Sequence, residues 1–184
     1  MGLVWTNKLS VGNAIIDCEH RNLISMARDV RREISTRDIP AMLEAFRLLE
    51  NWLRTHFANE EIFAQAIKFP FDQHRLAQQC SLKELQHIRD ELVTKDGTWP
   101  DDAIKHFSRA LKIWMIDEHI LKLDMRMKPA LQSHGHNFLP DHESSEADHK
   151  RGLKAAASNS RRYGCGCGCG CDGFADPAMN AVFA

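Results

Sequence analysis

Apolar residues recur three and four positions apart along four stretches of this chain, with polar residues between them. The first stretch runs Ile16, His20, Leu23, Ala27, Val30, Ile34, and the second Met42, Ala45, Leu49, Trp52, His56, Glu60, Phe63. The third runs His74, Gln78, Leu82, Leu85, Ile88, Leu92, and the fourth Ile104, Phe107, Leu111, Met115, His119, Leu123. This is the period of helices with one face turned inward. Asp38 and Pro40 suit the start of the second helix. Phe69-Pro70-Phe71-Asp72 and Asp96-Gly97-Thr98-Trp99-Pro100 punctuate the pattern. The fourth helix is predicted to run unbroken from the region of Asp101 to that of Leu131. No strand-like alternation interrupts it. Four long amphipathic helices joined by short turns predict an all-α, up-down-up-down four-helix bundle. Residues 1 to 13 read as an N-terminal arm, with Trp5 anchoring it to the core.

The apolar period fades after Leu131. The bundle is therefore expected to occupy residues 1–132, and residues 133–184 to form a largely disordered, low-complexity tail containing histidine and cysteine. In that tail Cys165, Cys167, Cys169 and Cys171 alternate with glycine, after His134, His136, His142 and His149. Cys-x-Cys units can wrap soft ions, so a metal-handling tail is one reading and a bare flexible end the other.

Composition narrows the function by exclusion. The 184 residues suit one domain, and 24 basic against 25 acidic side chains give no electrostatic footprint for nucleic acid. There is no apolar run long enough to span a membrane and no basic-then-apolar leader, which makes the cytoplasm the expected compartment.

The chemistry lies in what interrupts the apolar stripes. His20, His56, Glu60, His74, His119 and Asp124 fall on or beside core-facing positions, where unpaired charges and imidazoles are costly. A metal is a partner for buried carboxylates that also favours imidazole. Four histidines and two carboxylates are too many for one structural zinc and suit two ions. His56 and Glu60, four apart, share one helix face. His119 and Asp124, five apart, are less well phased on an α-helix. A ferritin-like site would need a pair of Glu-x-x-His motifs on bundle helices. Glu84-Leu-Gln-His87 supplies one, and the other, Glu146-Ala-Asp-His149, falls in the tail.

Several segments together resemble the hemerythrin family, in its bacterial form. They are Trp5-Thr-Asn-Lys-Leu-Ser-Val-Gly12, Ile16-Asp-Cys-Glu-His-Arg-Asn-Leu23, Trp52-Leu-Arg-Thr-His-Phe-Ala-Asn-Glu-Glu61, Phe69-Pro70 and His119-Ile-Leu-Lys-Leu-Asp124. The resemblance covers residues 1 to 131. It implies a non-haem centre of two iron ions in a four-helix bundle that binds dioxygen reversibly. By that resemblance Glu60 and Asp124 bridge the irons. His20 and His56 hold the iron with the open position, and His74 and His119 hold the other together with residue 78. The family has histidine at that last position and this chain has Gln78. An amide oxygen there can ligate weakly, hold a water or leave the position open. The first outcome implies an oxygen carrier, store or sensor. The others suit an enzyme acting on oxygen, peroxide or nitric oxide. Ile16, Leu49, Trp52, Phe63, Met115, Ile116 and Ile120 are candidates for a dry wall around the ions. A partner protein is not indicated.

Overall fold

The computed structural model describes residues 3–140. The expected cysteine-rich segment, with His142 and His149, lies outside them. Asn13 starts α1 (Ala14–Thr36), accepting at its side-chain oxygen from the Ile15 and Ile16 amides at 3.1 and 3.3 Å. Asp38 caps α2 (Ile39–Ala66) through the Ala41 amide at 3.0 Å, with Pro40 in the first turn. The third helix, α3, spans Asp72–Thr94. Short turns join them, and Arg37 takes up a left-handed conformation at the first (φ 59°). Its guanidinium then reaches the far turn, donating to Asp101 Oδ1 at 2.7 Å and to the Trp99 carbonyl at 3.2 Å. No strand occurs among the described residues, and the chain forms the all-α bundle that the periodicity implies.

The fourth leg departs from the expected unbroken α-helix. It begins as α4 (Asp101–Lys112), continues as a π-helix over Ile113–Leu123, tightens to a 3₁₀ turn over Asp124–Arg126, and ends as α5 (Lys128–His134). The backbone stays right-handed helical through each junction, so the leg is one rod wound three ways. Wide winding is energetically poorer than α-helix and tends to occur where function requires it. Here it changes the phase of the rod by about one residue. Residues five apart come to lie over one another, and the inward line passes from Met115 and His119 to Asp124 and Met127, all buried. Leu123, expected on that line, is half-exposed.

Two apolar clusters fill the bundle. The larger takes Leu23, Val30 and Ile34 of α1, Leu49 and Leu53 of α2, Leu85 and Leu92 of α3, and Leu111 and Ile120 of the fourth leg. The smaller takes Ile16, Phe63, Ile67, Phe71, Met127 and Leu131. Every leg passes from one cluster to the other, and in every leg the crossing point is where histidines and acids interrupt the stripe.

Packing continues past residue 132. The Ala14 amide donates to the His136 carbonyl at 2.8 Å, Asn13 Nδ2 to the Phe138 carbonyl at 2.9 Å, and the Phe138 ring meets Phe63 edge-on at 6.0 Å. Gly12, with φ 89°, passes so close to Gln132 that a Cβ would stand 2.7 Å from Cγ. Asn13 thus joins a helix start to the chain's return. Asn13→Ala is expected to cost about 1–2 kcal/mol in urea unfolding, the usual cost of a lost cap. Asn13→Asp, which keeps the acceptor and loses the amide donor, should recover part of it. An Ala variant as stable as the parent would show that neither contact matters.

Candidate metal centre

Six side chains from the four legs meet between the two apolar clusters. His20, Glu60 and Asp124 are wholly buried, and His56, His74 and His119 are 1% exposed. Asp124 stands at the middle. Its Oδ2 lies 3.1 Å from His20 Nε2 and 3.4 Å from His119 Nε2, and its Oδ1 lies 3.1 Å from His74 Nε2. Glu60 Oε2 faces His56 Nε2 at 3.5 Å and His74 Nε2 at 3.6 Å, while Oε1 is 4.0 Å from His20 Nε2. The π-wound segment is what lets His119 and Asp124, five apart, share this space.

Most of these atoms lack a hydrogen-bond partner. Both ring nitrogens of His20 and of His74, both oxygens of Asp124, Glu60 Oε1 and His119 Nδ1 are buried and unpaired. Orphaned buried polar atoms cost about 1–3 kcal/mol each, and so many at one point call for something that binds lone pairs. Atoms bound to one ion at roughly 2.1 Å lie about 3 Å from each other, close to the spacings here. Donor atoms within 4.8 Å of one another fall in two groups: His20, His56, His119 and Asp124, and separately Glu60, His74 and Asp124. Nitrogen and carboxylate donors of this kind fit iron or zinc.

Electrostatics distinguish the members. Burial alone would lower the His56 pKa, but Glu60 and the hydrogen bond to Glu19 outweigh it and bring it to about 9. Burial likewise opposes charge on His74, and Asp124 and Glu60 raise its pKa to about 9. In His119 burial wins; Asp124 opposes it, the other three imidazoles add to it, and the pKa falls to about 3. His56 Nε2 and His119 Nε2 stand within hydrogen-bond distance at 3.1 Å. Burial would raise the Asp124 carboxyl, but His119, His20 and His74 hold it well below the carboxylate range. Burial and Asp124 both push Glu60 upward.

Two placements bear on the expected ligand set. Gln78, buried among these groups, turns its amide nitrogen inward and donates to Glu60 Oε2 at 2.7 Å. His119, paired with His74 by the resemblance, instead has its Nε2 beside His56 and His20.

Three residues that sequence reasoning missed complete the surroundings. Phe71 stacks on His74 at 4.5 Å, and Phe57 lies tilted against His56 at 5.8 Å and edge-on to His119 at 5.2 Å. Glu19 is buried, accepting from His56 Nδ1 at 2.9 Å and from Asn59 Nδ2. That bond leaves His56 Nε2 facing the centre. Its only sequence signal is a place one residue before His20, four before Leu23 and seven before Met26, on the flank of the apolar stripe. Glu19→Ala should lower the melting temperature of the metal-free chain, because it strands the buried His56 donor and the half-buried Asn59 donor. Glu19→Gln, which keeps one acceptor oxygen of the two, should restore only part of it. Equal melting of Glu19→Ala and the parent would remove Glu19 from this role. Of the expected wall, Ile16, Leu49, Trp52, Phe63, Met115, Ile116 and Ile120 are all buried. Trp5 lies over the outer side of His20, with ring centroids 6.4 Å apart.

No protein-family profile matches the chain, and no solved structure does. The bacteriohemerythrin of Stenotrophomonas maltophilia (strain R551-3) is 24% identical over 143 residues, covering 77% of this chain and 90% of that protein. That similarity, running through a helical bundle with a buried histidine and carboxylate cluster at its centre, supports assignment of the chain to the hemerythrin family.

Proposed function

We propose that the chain is a non-haem diiron protein that binds dioxygen for carriage, storage or sensing. The observation that carries this is the convergence of His20, His56, Glu60, His74, His119 and Asp124, most of them with unpaired buried donor atoms. These six are the proposed ligands, with Glu60 and Asp124 between the ions. The irons would supply reversible dioxygen binding. The chain's own part is to hold the ligands, exclude water and limit proton access. Phe57, Phe71 and the buried aliphatic wall would provide the dry enclosure. The functional unit is the bundle, and no described helix is long and apolar enough to cross a membrane. We place the protein in the cytoplasm.

Gln78 favours a second reading, an enzyme acting on oxygen, peroxide or nitric oxide. Its amide donates to Glu60 at a position where the family supplies a ligand, and an ion held by His74 would then have room for an exogenous molecule.

Iron analysis of the anaerobically loaded chain, with the visible spectrum under dioxygen, tests the main reading. About two irons and a dioxygen-dependent band are expected, and an iron-free chain would overturn it. Stopped-flow mixing of the reduced, loaded protein with dioxygen separates the two readings. A long-lived band means carriage, and rapid decay with repeated turnover means an enzyme.

A further inference from the structure

A groove of about 550 Å³ lies between α1, the N-terminal arm and the start of the fourth leg, and none of the six central side chains lines it. Arg31 comes from α1, Ser108, Arg109 and Lys112 from α4, Ile113 and Asp117 from the π segment, and Leu3 from the arm. That volume is in the range of sites for small organic molecules. The chain as a whole is close to neutral, with a formal charge of −1. In the groove three basic groups face one acid, a surplus of two positive charges. The acid is already engaged, since Asp117 accepts from Lys112 Nζ at 3.1 and 3.4 Å. That pair is five residues apart, a spacing the wide winding brings together. Several arginines elsewhere are paired. Arg37, Arg47, Arg54 and Arg75 each meet a carboxylate at 2.7 Å or less. Among the described residues Arg31 and Arg109 meet none, and the Ser108 hydroxyl has no hydrogen-bond partner.

We propose that this groove binds a phosphate monoester of a small organic molecule. Such a group carries a charge of about −1.5 to −2 at pH 7, which matches the surplus, whereas a carboxylate supplies a single charge. Two guanidinium forks can each donate paired hydrogen bonds to phosphate oxygens, Lys112 adds a point charge, and Ser108 adds a hydroxyl donor. Leu3, 2% exposed, and Ile113, 40% exposed, give the organic part an apolar floor and rim. Both arginines are exposed, so the attraction is screened and weakens as salt rises.

The test is calorimetric titration of the full-length chain with hexyl phosphate, inorganic phosphate and hexanoate, at low and at high salt. One hexyl phosphate per chain is expected, with binding lost at high salt. Inorganic phosphate lacks the apolar part and hexanoate lacks the second charge, so both should bind more weakly. Arg31→Ala and Arg109→Ala should each weaken hexyl phosphate binding about tenfold, and together abolish it, with helical circular dichroism unchanged. Asp117→Asn, which removes the competing acid and frees Lys112, should tighten it about two- to fivefold. No binding of hexyl phosphate would overturn the proposal, as would hexanoate binding equally well. Parental affinity in the double arginine variant would put the phosphate elsewhere on the chain, the metal centre included, and equally overturn it. So would sedimentation with phosphatidylglycerol vesicles without binding of hexyl phosphate, which would assign the groove to a lipid surface.

Discussion

Asp124→Ala is expected to empty the centre of metal. The carboxylate places one oxygen against His20 and His119 and the other against His74, so its removal takes a donor from both sides at once. Loss of an outer-shell partner costs roughly 10–100-fold in metal affinity, and a group shared by both ions should cost more. Purified Asp124→Ala should carry less than a tenth of the parent's iron by elemental analysis, with its helical circular dichroism retained. Glu60→Ala should behave similarly, since Glu60 faces His56, His74 and His20. Parental iron content in both variants would end the diiron assignment.

The metal-free form should lose stability in alkali, whereas the metal-loaded form should keep it. In the metal-free chain His56 and His74 have pKa values of about 9, above the ordinary 6.5. A group raised by folding contributes its full stability below pH 6.5 and loses it as pH climbs through 9. Either histidine alone is worth roughly 3 kcal/mol over that window, and the two share the same carboxylates, so their effects do not simply add. Below pH 6.5 the trend reverses. His119, with a folded pKa of about 3, stays neutral where the unfolded chain takes a proton. Asp124, held low, loses its contribution as acid approaches its folded value. The metal-free protein should therefore be most stable near pH 6. Metal ligation requires neutral imidazoles, so loading releases protons and strengthens as pH rises toward 9. Urea unfolding at pH 6.5 and pH 9, with chelator and with iron, measures both slopes. Metal-free protein as stable at pH 9 as at pH 6.5 would contradict the charge pattern.

Much of the architecture was legible because it rests on period. The stripes through Leu23, Val30 and Ile34 and through Leu49 and Trp52 mark faces that can be buried only in a helical bundle. The six candidate ligands were legible for the same reason, as polar residues on apolar lines. What escaped was whatever depends on local winding or on neighbours remote in sequence. Met115, His119 and Leu123 keep a four-residue step that reads as plain α-helix. The one clue to the π segment was the awkward five-residue gap from His119 to Asp124, which the sequence reading left as an offset between two metals. The inward turn of the Gln78 amide depends on Glu60, eighteen residues earlier. Glu19 looks like a surface acid until α2 brings His56 and Asn59 against it.

The π-wound rod also bears on how this chain can change by insertion and deletion. Within an α-helix one residue amounts to a rotation of about 100°. Leu121 and Lys122 are exposed, and dropping either would seem harmless on the surface. Yet a deletion there would return the rod to tighter winding and swing everything beyond it. Asp124 would leave the centre, and Met127, Leu131 and the Phe138 return would lose their register with α1 and α2. Position 124 and the closing end of the bundle thus share one winding, and a single deletion in the π segment would displace both.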